Sequence, residues 1–244
     1  MSSPAVDAVQ DVQRVLVVVA HPDDIDFGCA GSVAVWTAAG VEVSYCIITD
    51  GDAGGFDPEV PRPEIGGIRQ QEQRKAAGVL GVSDIAFLGY PDGRLTVTLQ
   101  LRRDIARVIR QVRPDRVVAQ SPTRDLHSMY GSHPDHLAAG EATLCAVYPD
   151  ARNQWAHPEL ATAEGLAAHT VGQTWVMCNN ARAEHYVDVT DTIDLKIAAL
   201  REHVSQTAHM DLDKLMRGWS QRQASAAGWP DGRLAEGYLV LDTR

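Results

Sequence analysis

Residues Val15-Leu16-Val17-Val18-Val19-Ala20 form an unbroken apolar, largely β-branched run. A strand wetted on one face alternates apolar and polar side chains. A run with no polar break suits a strand covered on both faces, the habit of a parallel sheet flanked by helices. The next segments agree. Gly31 to Gly40 has helical composition and a terminating glycine, and Val41 to Thr49 reads as a second strand, completing a βαβ unit. Strands are expected at Ile85 to Leu88 and Arg116 to Ala119, each after an amphipathic stretch, Arg69 to Leu80 and Leu99 to Val112. This alternation predicts an α/β, Rossmann-like fold with a mostly parallel sheet and helices on both faces.

Beyond Tyr148 the pattern loosens through Pro149, Asn153 and Pro158. It resumes with strands near Thr174 to Met177 and Ala183 to Val189, a helix over Thr192 to Val204 and a last strand at Gly237 to Leu241. No repeat, charge block or linker separates these parts, so residues 1–244 are expected to form a single domain, with 1–12 as a flexible N-terminal tail.

The formal net charge is −10, so the chain gains nothing from counterion release on a phosphate backbone, and nucleic acid is not an expected partner. Cys29, Cys46, Cys145 and Cys178 are far apart with no C-x-x-C pair, which points to reduced thiols. The first residues, MSSPAVDAVQDVQ, lack a basic stretch leading into an apolar one, and the Val15–Ala20 run is too short to cross a bilayer. A cytoplasmic protein without membrane attachment is expected.

In a doubly wound sheet, chemistry gathers at the carboxyl ends of the strands. The loop after the first strand reads Ala20-His21-Pro22-Asp23-Asp24-Ile25-Asp26, and a distant loop, after the Arg116 strand, supplies Ser132-His133-Pro134-Asp135-His136. So much negative charge beside imidazoles calls for a cation. If the loops face each other, His21, Asp24 and His136 form a two-histidine, one-carboxylate set that leaves positions open for water and substrate. Asp23, adjacent to Asp24 but pointing elsewhere, is the natural general base. His133 lies one helical turn from His136 and, as imidazolium, would donate to a developing oxyanion. Asp135 would orient His133 or a metal ligand. These parts suit metal-assisted hydrolysis of an amide or ester.

The paired Ala20-His21-Pro22-Asp23-Asp24 and His133-Pro134-Asp135-His136 segments resemble the PIG-L/LmbE-like family of zinc-dependent N-deacetylases. The likeness continues through Arg69-x-x-Glu72, Leu88-Gly-Tyr-Pro-Asp92-Gly and Lys196-x-x-Ala-Leu-x-x-His203-x-Ser205-Gln206. The resemblance implies removal of an N-acetyl group from an N-acetylglucosamine-type metabolite, such as the precursors of mycothiol and bacillithiol. It makes His21, Asp24 and His136 the zinc ligands, Asp23 the base and His133 the residue stabilising the tetrahedral intermediate. Arg69 and Asp92 fall at sugar-contacting positions, Tyr130 near an active-site tyrosine. Where the family often has Glu after the Asp pair, this chain has Ile25 and then Asp26. Related enzymes commonly assemble as trimers or hexamers, so a homo-oligomer is expected. The 148–170 loop matches nothing in the pattern and is a candidate determinant of the accepted conjugate.

Blander readings exist for single residues. Asp24 and Asp135 suit helix caps, Arg69 with Glu72 a surface ion pair, Asp92 a type I turn, and His127 and His203 structural roles. The donor set also admits ferrous iron. Alternative functions are an amidase acting on a larger mycothiol-type conjugate, a non-haem iron oxygenase, which the βαβ pattern disfavours, and a metal- or nucleotide-binding module without catalysis. Phe27-Gly28-Cys29-Ala30-Gly31 does not supply the G-x-G-x-x-G turn that nucleotide binding would need.

Overall fold

A computed structural model describes residues 12–55, 57–126, 129–178 and 183–244. The apolar run forms β1 (Arg14–Val19) near the middle of a seven-stranded sheet. The other strands are β2 (Glu42–Thr49), β3 (Asp84–Tyr90), β4 (Arg116–Ala119), β5 (Gln173–Met177), β6 (His185–Asp188) and β7 (Ala235–Asp242), in the order β3-β2-β1-β4-β5-β7-β6. The first five of that order are mutually parallel, while β7 runs antiparallel to both β5 and β6. The fold is the expected α/β arrangement, with a mostly parallel sheet and helices on both faces.

The side chains of β1 and of Ala20, just past its end, divide between two cores. Val15, Val17 and Val19 pack with helices α2 (Ala30–Ala38), α3 (Arg62–Val79), α7 (Ile193–Arg201) and α9 (Leu212–Ala226). Leu16, Val18 and Ala20 pack with α4 (Leu99–Val112) and α5 (Pro134–Cys145). All six are fully buried. At roughly 1.5–3 kcal/mol for each fully buried Val or Leu, this strand is a principal source of fold stability.

Several boundaries differ from expectation. α3 starts at Arg62, with Pro63 in its first turn, a full two turns before the amphipathic pattern becomes visible. The helix expected over Thr192 to Val204 stops at Arg201 and restarts as the short α8 (Val204–Thr207), because His203 leaves helical geometry to send its side chain inward. α9 was not anticipated. Its buried residues, Leu212, Met216, Ser220 and Ala224, recur every four positions, a stripe whose second half is too small and polar to stand out. The 148–170 stretch opens on a kink, with Tyr148 in extended geometry (φ −140°, ψ 118°) before Pro149, and holds the short α6 (Pro158–Thr162). It is tied down by Arg110, whose buried guanidinium donates to the carbonyls of Asp150, Ala151, Asn153 and Ala156. The expected tail lies outside the described residues except for Val12, which packs against the core. No helix among the described residues is long and apolar enough to cross a membrane.

Candidate metal centre and active site

β1 and β4 are neighbours, but the chain leaves β1 for β2 on one side and β4 for β5 on the other. Their carboxyl ends therefore flank the crevice where the strand order reverses. Gln120, just past β4, accepts from the Ala20 N–H through its side chain at 2.9 Å and ties the two ends together. α5 then approaches so closely that a Cβ on Gly140 would lie 2.4 Å from the Gln120 carbonyl. Only glycine allows this approach, which delivers His133 and His136 to the crevice.

Three donor groups converge there. His21 Nδ1 and His136 Nε2 are 3.2 Å apart, Asp24 Oδ2 is 3.3 Å from His21 Nδ1, and Asp24 Oδ1 is 3.0 Å from His136 Nε2. Ligands about 2.0 Å from a tetrahedral ion lie about 3.3 Å from one another, so these separations, made through the two oxygens of Asp24, are of the size a divalent site needs. His133 joins His21 and His136 in a trio whose nitrogens lie within 4.8 Å.

The far side of His21 is equally specified. Nε2 faces Asp92 Oδ1 at 3.0 Å and Asp135 Oδ2 at 3.3 Å. A proton held on Nε2 by these carboxylates would leave the Nδ1 lone pair to a cation that displaces the Nδ1 proton. Asp135 is itself 1% exposed and accepts the Gly93 and Leu95 N–H groups. Its side chain thus orients the candidate ligand His21, while its backbone N–H donates to His133 Nδ1 at 3.2 Å. That bond makes Nδ1 an acceptor and puts the His133 proton on Nε2. The ring is then neutral rather than the expected imidazolium, consistent with a pKa lowered by burial and by the His21 and His136 charges.

The charges of the cluster act on one another. Burial works against an ionised Asp24, but His136 and His21 hold it well below the usual carboxylate range. Burial likewise opposes charge on His21, yet Asp24, Asp135 and Asp92 push its pKa up to about 12. His136 is raised against burial by Asp24. The imidazoles here sit in the negative field that a divalent cation would neutralise.

Asp23 has φ 89°, a left-handed conformation that costs a non-glycine residue about 1–3 kcal/mol. This turn falls just as the short α1 (Asp24–Gly28) begins, and the Asp23 carboxylate meets Arg69 Nη2 at 3.1 Å. Burial pushes its pKa up to about 6, with Arg69 opposing and Asp24 adding to the rise. Arg69 is 4% exposed and donates to the carbonyls of Pro22 and Gly51 and to Asp23 Oδ2. Its Nη1 is 3.8 Å from Asp92 Oδ2. This excludes a surface ion pair with Glu72, which instead accepts from the Ser205 N–H and hydroxyl. Gly51, at φ 64°, admits the guanidinium: a Cβ there would meet Nη1 at 2.4 Å.

The structure therefore gathers His21, Asp23, Asp24, Arg69, Asp92, His133, Asp135 and His136. The backbone of Tyr130 lies in a 3-10 turn (Met129–Ser132), but its side chain lies outside the described residues, as does His127. Sequence reasoning missed Gln120 and Gln73. Gln73 accepts from the Asp23 N–H and lies one helical turn from Arg69, a spacing that could have placed it on the same face.

A family profile described as PIG-L, GlcNAc-PI de-N-acetylase, matches residues 16–147, a span that includes both histidine-proline-aspartate loops. A diacetylchitobiose deacetylase of Thermococcus kodakarensis is 33% identical over 196 residues, covering 80% of this chain and 71% of that protein. A protein of Bacillus anthracis named as a probable N-acetyl-alpha-D-glucosaminyl L-malate deacetylase 2 is 29% identical over 210 residues, covering 82% and 84%. The solved N,N'-diacetylchitobiose deacetylase from Pyrococcus horikoshii, complexed with an inhibitor, superposes with a TM-score of 0.86 at 28% identity, covering 96% of this chain and 86% of that one. With the profile match spanning more than half of its length and a relative 33% identical over 80% of it, the chain belongs to the PIG-L family.

Proposed function

We propose that this protein is a metal-dependent hydrolase that removes an N-acetyl group from an N-acetylglucosamine-type metabolite. The observation that carries the reading is the mutual 3.0–3.3 Å spacing of His21 Nδ1, Asp24 and His136 Nε2 beside Asp23 and His133. The names of the relatives support the substrate class, since they are deacetylases of diacetylchitobiose and of N-acetylglucosaminyl malate. His21, Asp24 and His136 would hold the cation, with zinc the ion best suited to two imidazoles and one carboxylate. Bound there, a divalent ion supplies Lewis acidity toward an amide carbonyl and makes water more acidic.

The chain's own groups do the rest. Asp23 accepts a proton from the attacking water and, once protonated, delivers it to the leaving amine. The Arg69 guanidinium at 3.1 Å keeps the carboxylate available as an acceptor despite its burial. His133 Nε2–H donates to the amide oxygen as negative charge develops there. Arg69, Asp92 and Tyr130 are assigned to the sugar side of the crevice, where Arg69 and Asp92 also brace Asp23 and His21. Water adds across one C–N bond, giving acetate and a free amine.

A homo-oligomer, a trimer or hexamer, and a cytoplasmic location are part of the same proposal. Cys29 and Cys46 are buried thiols within the core, which accords with a reducing compartment. The test is acetate and amine release from N,N'-diacetylchitobiose and from N-acetylglucosaminyl malate and inositol, with metal analysis alongside. Loss on chelation and recovery with zinc is expected. Full turnover in metal-free protein would overturn the proposal.

A further inference from the structure

We infer that Gln73, backed by Asp26 and His203, is a positioning residue for Asp23, holding its backbone in the left-handed conformation through a directed chain of hydrogen bonds. The inference rests on Asp23 being the proton acceptor. Its starting point is the peptide unit between Pro22 and Asp23. The carbonyl of that unit accepts from Arg69 Nη2 at 2.6 Å, and its N–H donates to Gln73 Oε1 at 2.8 Å. Arg69 and Gln73 are one turn apart on α3, so a single rigid helix clamps both polar atoms of one peptide plane. That plane sets φ of Asp23, and with it the direction of the carboxylate.

The clamp has a defined polarity. Gln73 and Asp26 are both completely buried. Asp26 Oδ2 accepts from Gln73 Nε2 at 2.9 Å and from His203 Nε2 at 2.8 Å. A carboxylate only accepts, so the amide nitrogen of Gln73 must face Asp26, and its oxygen must face the Asp23 N–H. The flipped amide would set two donors against each other. His203 reaches Asp26 because α7 ends at Arg201 and α8 begins only at Val204. The hydrogen bonds of Gln73 run to Asp23 and Asp26 rather than to His21, Asp24 or His136, so it acts on the base and not on the cation.

The experiment compares wild type with Gln73→Met, which keeps the volume and removes both bonds, and Gln73→Glu, which in its neutral form restores an acceptor and a donor. With N,N'-diacetylchitobiose, Gln73→Met is expected to lower kcat about 10–100-fold, the usual cost of a small misplacement, with KM within about twofold. Zinc content should be unchanged, and the Asp23 amide should lose protection from hydrogen exchange. Gln73→Glu should recover most of the lost kcat. Should Gln73→Met not fold, Gln73→Asn carries the same expectation, since the shorter amide cannot span both partners. Wild-type kcat with an equally protected Asp23 amide would overturn the inference, as would metal loss or a raised KM as the main effect. Full activity in Asp23→Asn would instead remove Asp23 as the base, while amide exchange would still report on the clamp.

Discussion

Replacing Asp135 by Asn should weaken divalent-metal binding without touching a candidate ligand. The carboxylate meets His21 Nε2 at 3.3 Å, accepts from the Gly93 N–H at 2.7 Å and from the Leu95 N–H at 3.2 Å, and is almost fully buried. Asn offers one oxygen and one NH2, so its NH2 must face a donor that the carboxylate satisfied. If the oxygen stays toward Gly93 and His21, Leu95 loses its partner, at a cost of about 1–3 kcal/mol of stability. For a protein of this size that is a fall in Tm of about 2–4 °C per kcal/mol. Independently, the partner of His21 becomes neutral and the imidazole a poorer ligand, and such changes typically weaken metal binding about 10–100-fold. Competition titration of zinc against a chromophoric chelator reads this directly, beside thermal unfolding of the metal-free protein. Asp92 shares the same Nε2 at 3.0 Å and cushions the loss, so Asp92→Asn combined with Asp135→Asn should exceed the sum of the single effects. Zinc affinity in Asp135→Asn within twofold of wild type, with the double variant no worse, would refute this account of His21.

Further outcomes follow from the same geometry. His136→Ala should lose stoichiometric zinc, whereas Asp23→Ala should retain it and lose about 10²–10⁴-fold in turnover, as metal analysis and acetate release would show. Equal activity in wild type and Asp23→Ala would remove the base. Gly140→Ala sets a methyl against the Gln120 carbonyl at 2.4 Å and should cost about 1–3 kcal/mol in denaturant unfolding, with weakened zinc binding as α5 is pushed outward. Arg110→Met leaves the carbonyls of Asp150, Ala151, Asn153 and Ala156 without their shared donor, and limited proteolysis should then cut the 148–157 stretch faster than the rest of the chain.

Much of the framework was legible in the residue order. The apolar Val15–Ala20 run announced a strand covered on both faces, and α4 and β4 fall at the expected residues, because α4 has a clean amphipathic stripe and a Thr98 cap. α9 was not legible, since Leu212 and Met216 are followed on its buried face by the small Ser220 and Ala224, which become a core stripe only against the neighbouring elements. The role of Arg69 shows a different limit. Spacing alone allows a surface pair with Glu72, and only packing under Gly51 converts the same arginine into a buried brace for Asp23.

Local sequence thus determined the strand and helix periods and the two histidine-proline-aspartate loops, because these depend on side chains within a few positions of one another. The meeting of His21 with His136, the sharing of His21 Nε2 by Asp92 and Asp135, and the left-handed turn at Asp23 were decided by tertiary structure. Each joins groups from separate segments, and their separations are set by strand order at the switch point and by the closeness with which α3 and α5 pack beside it.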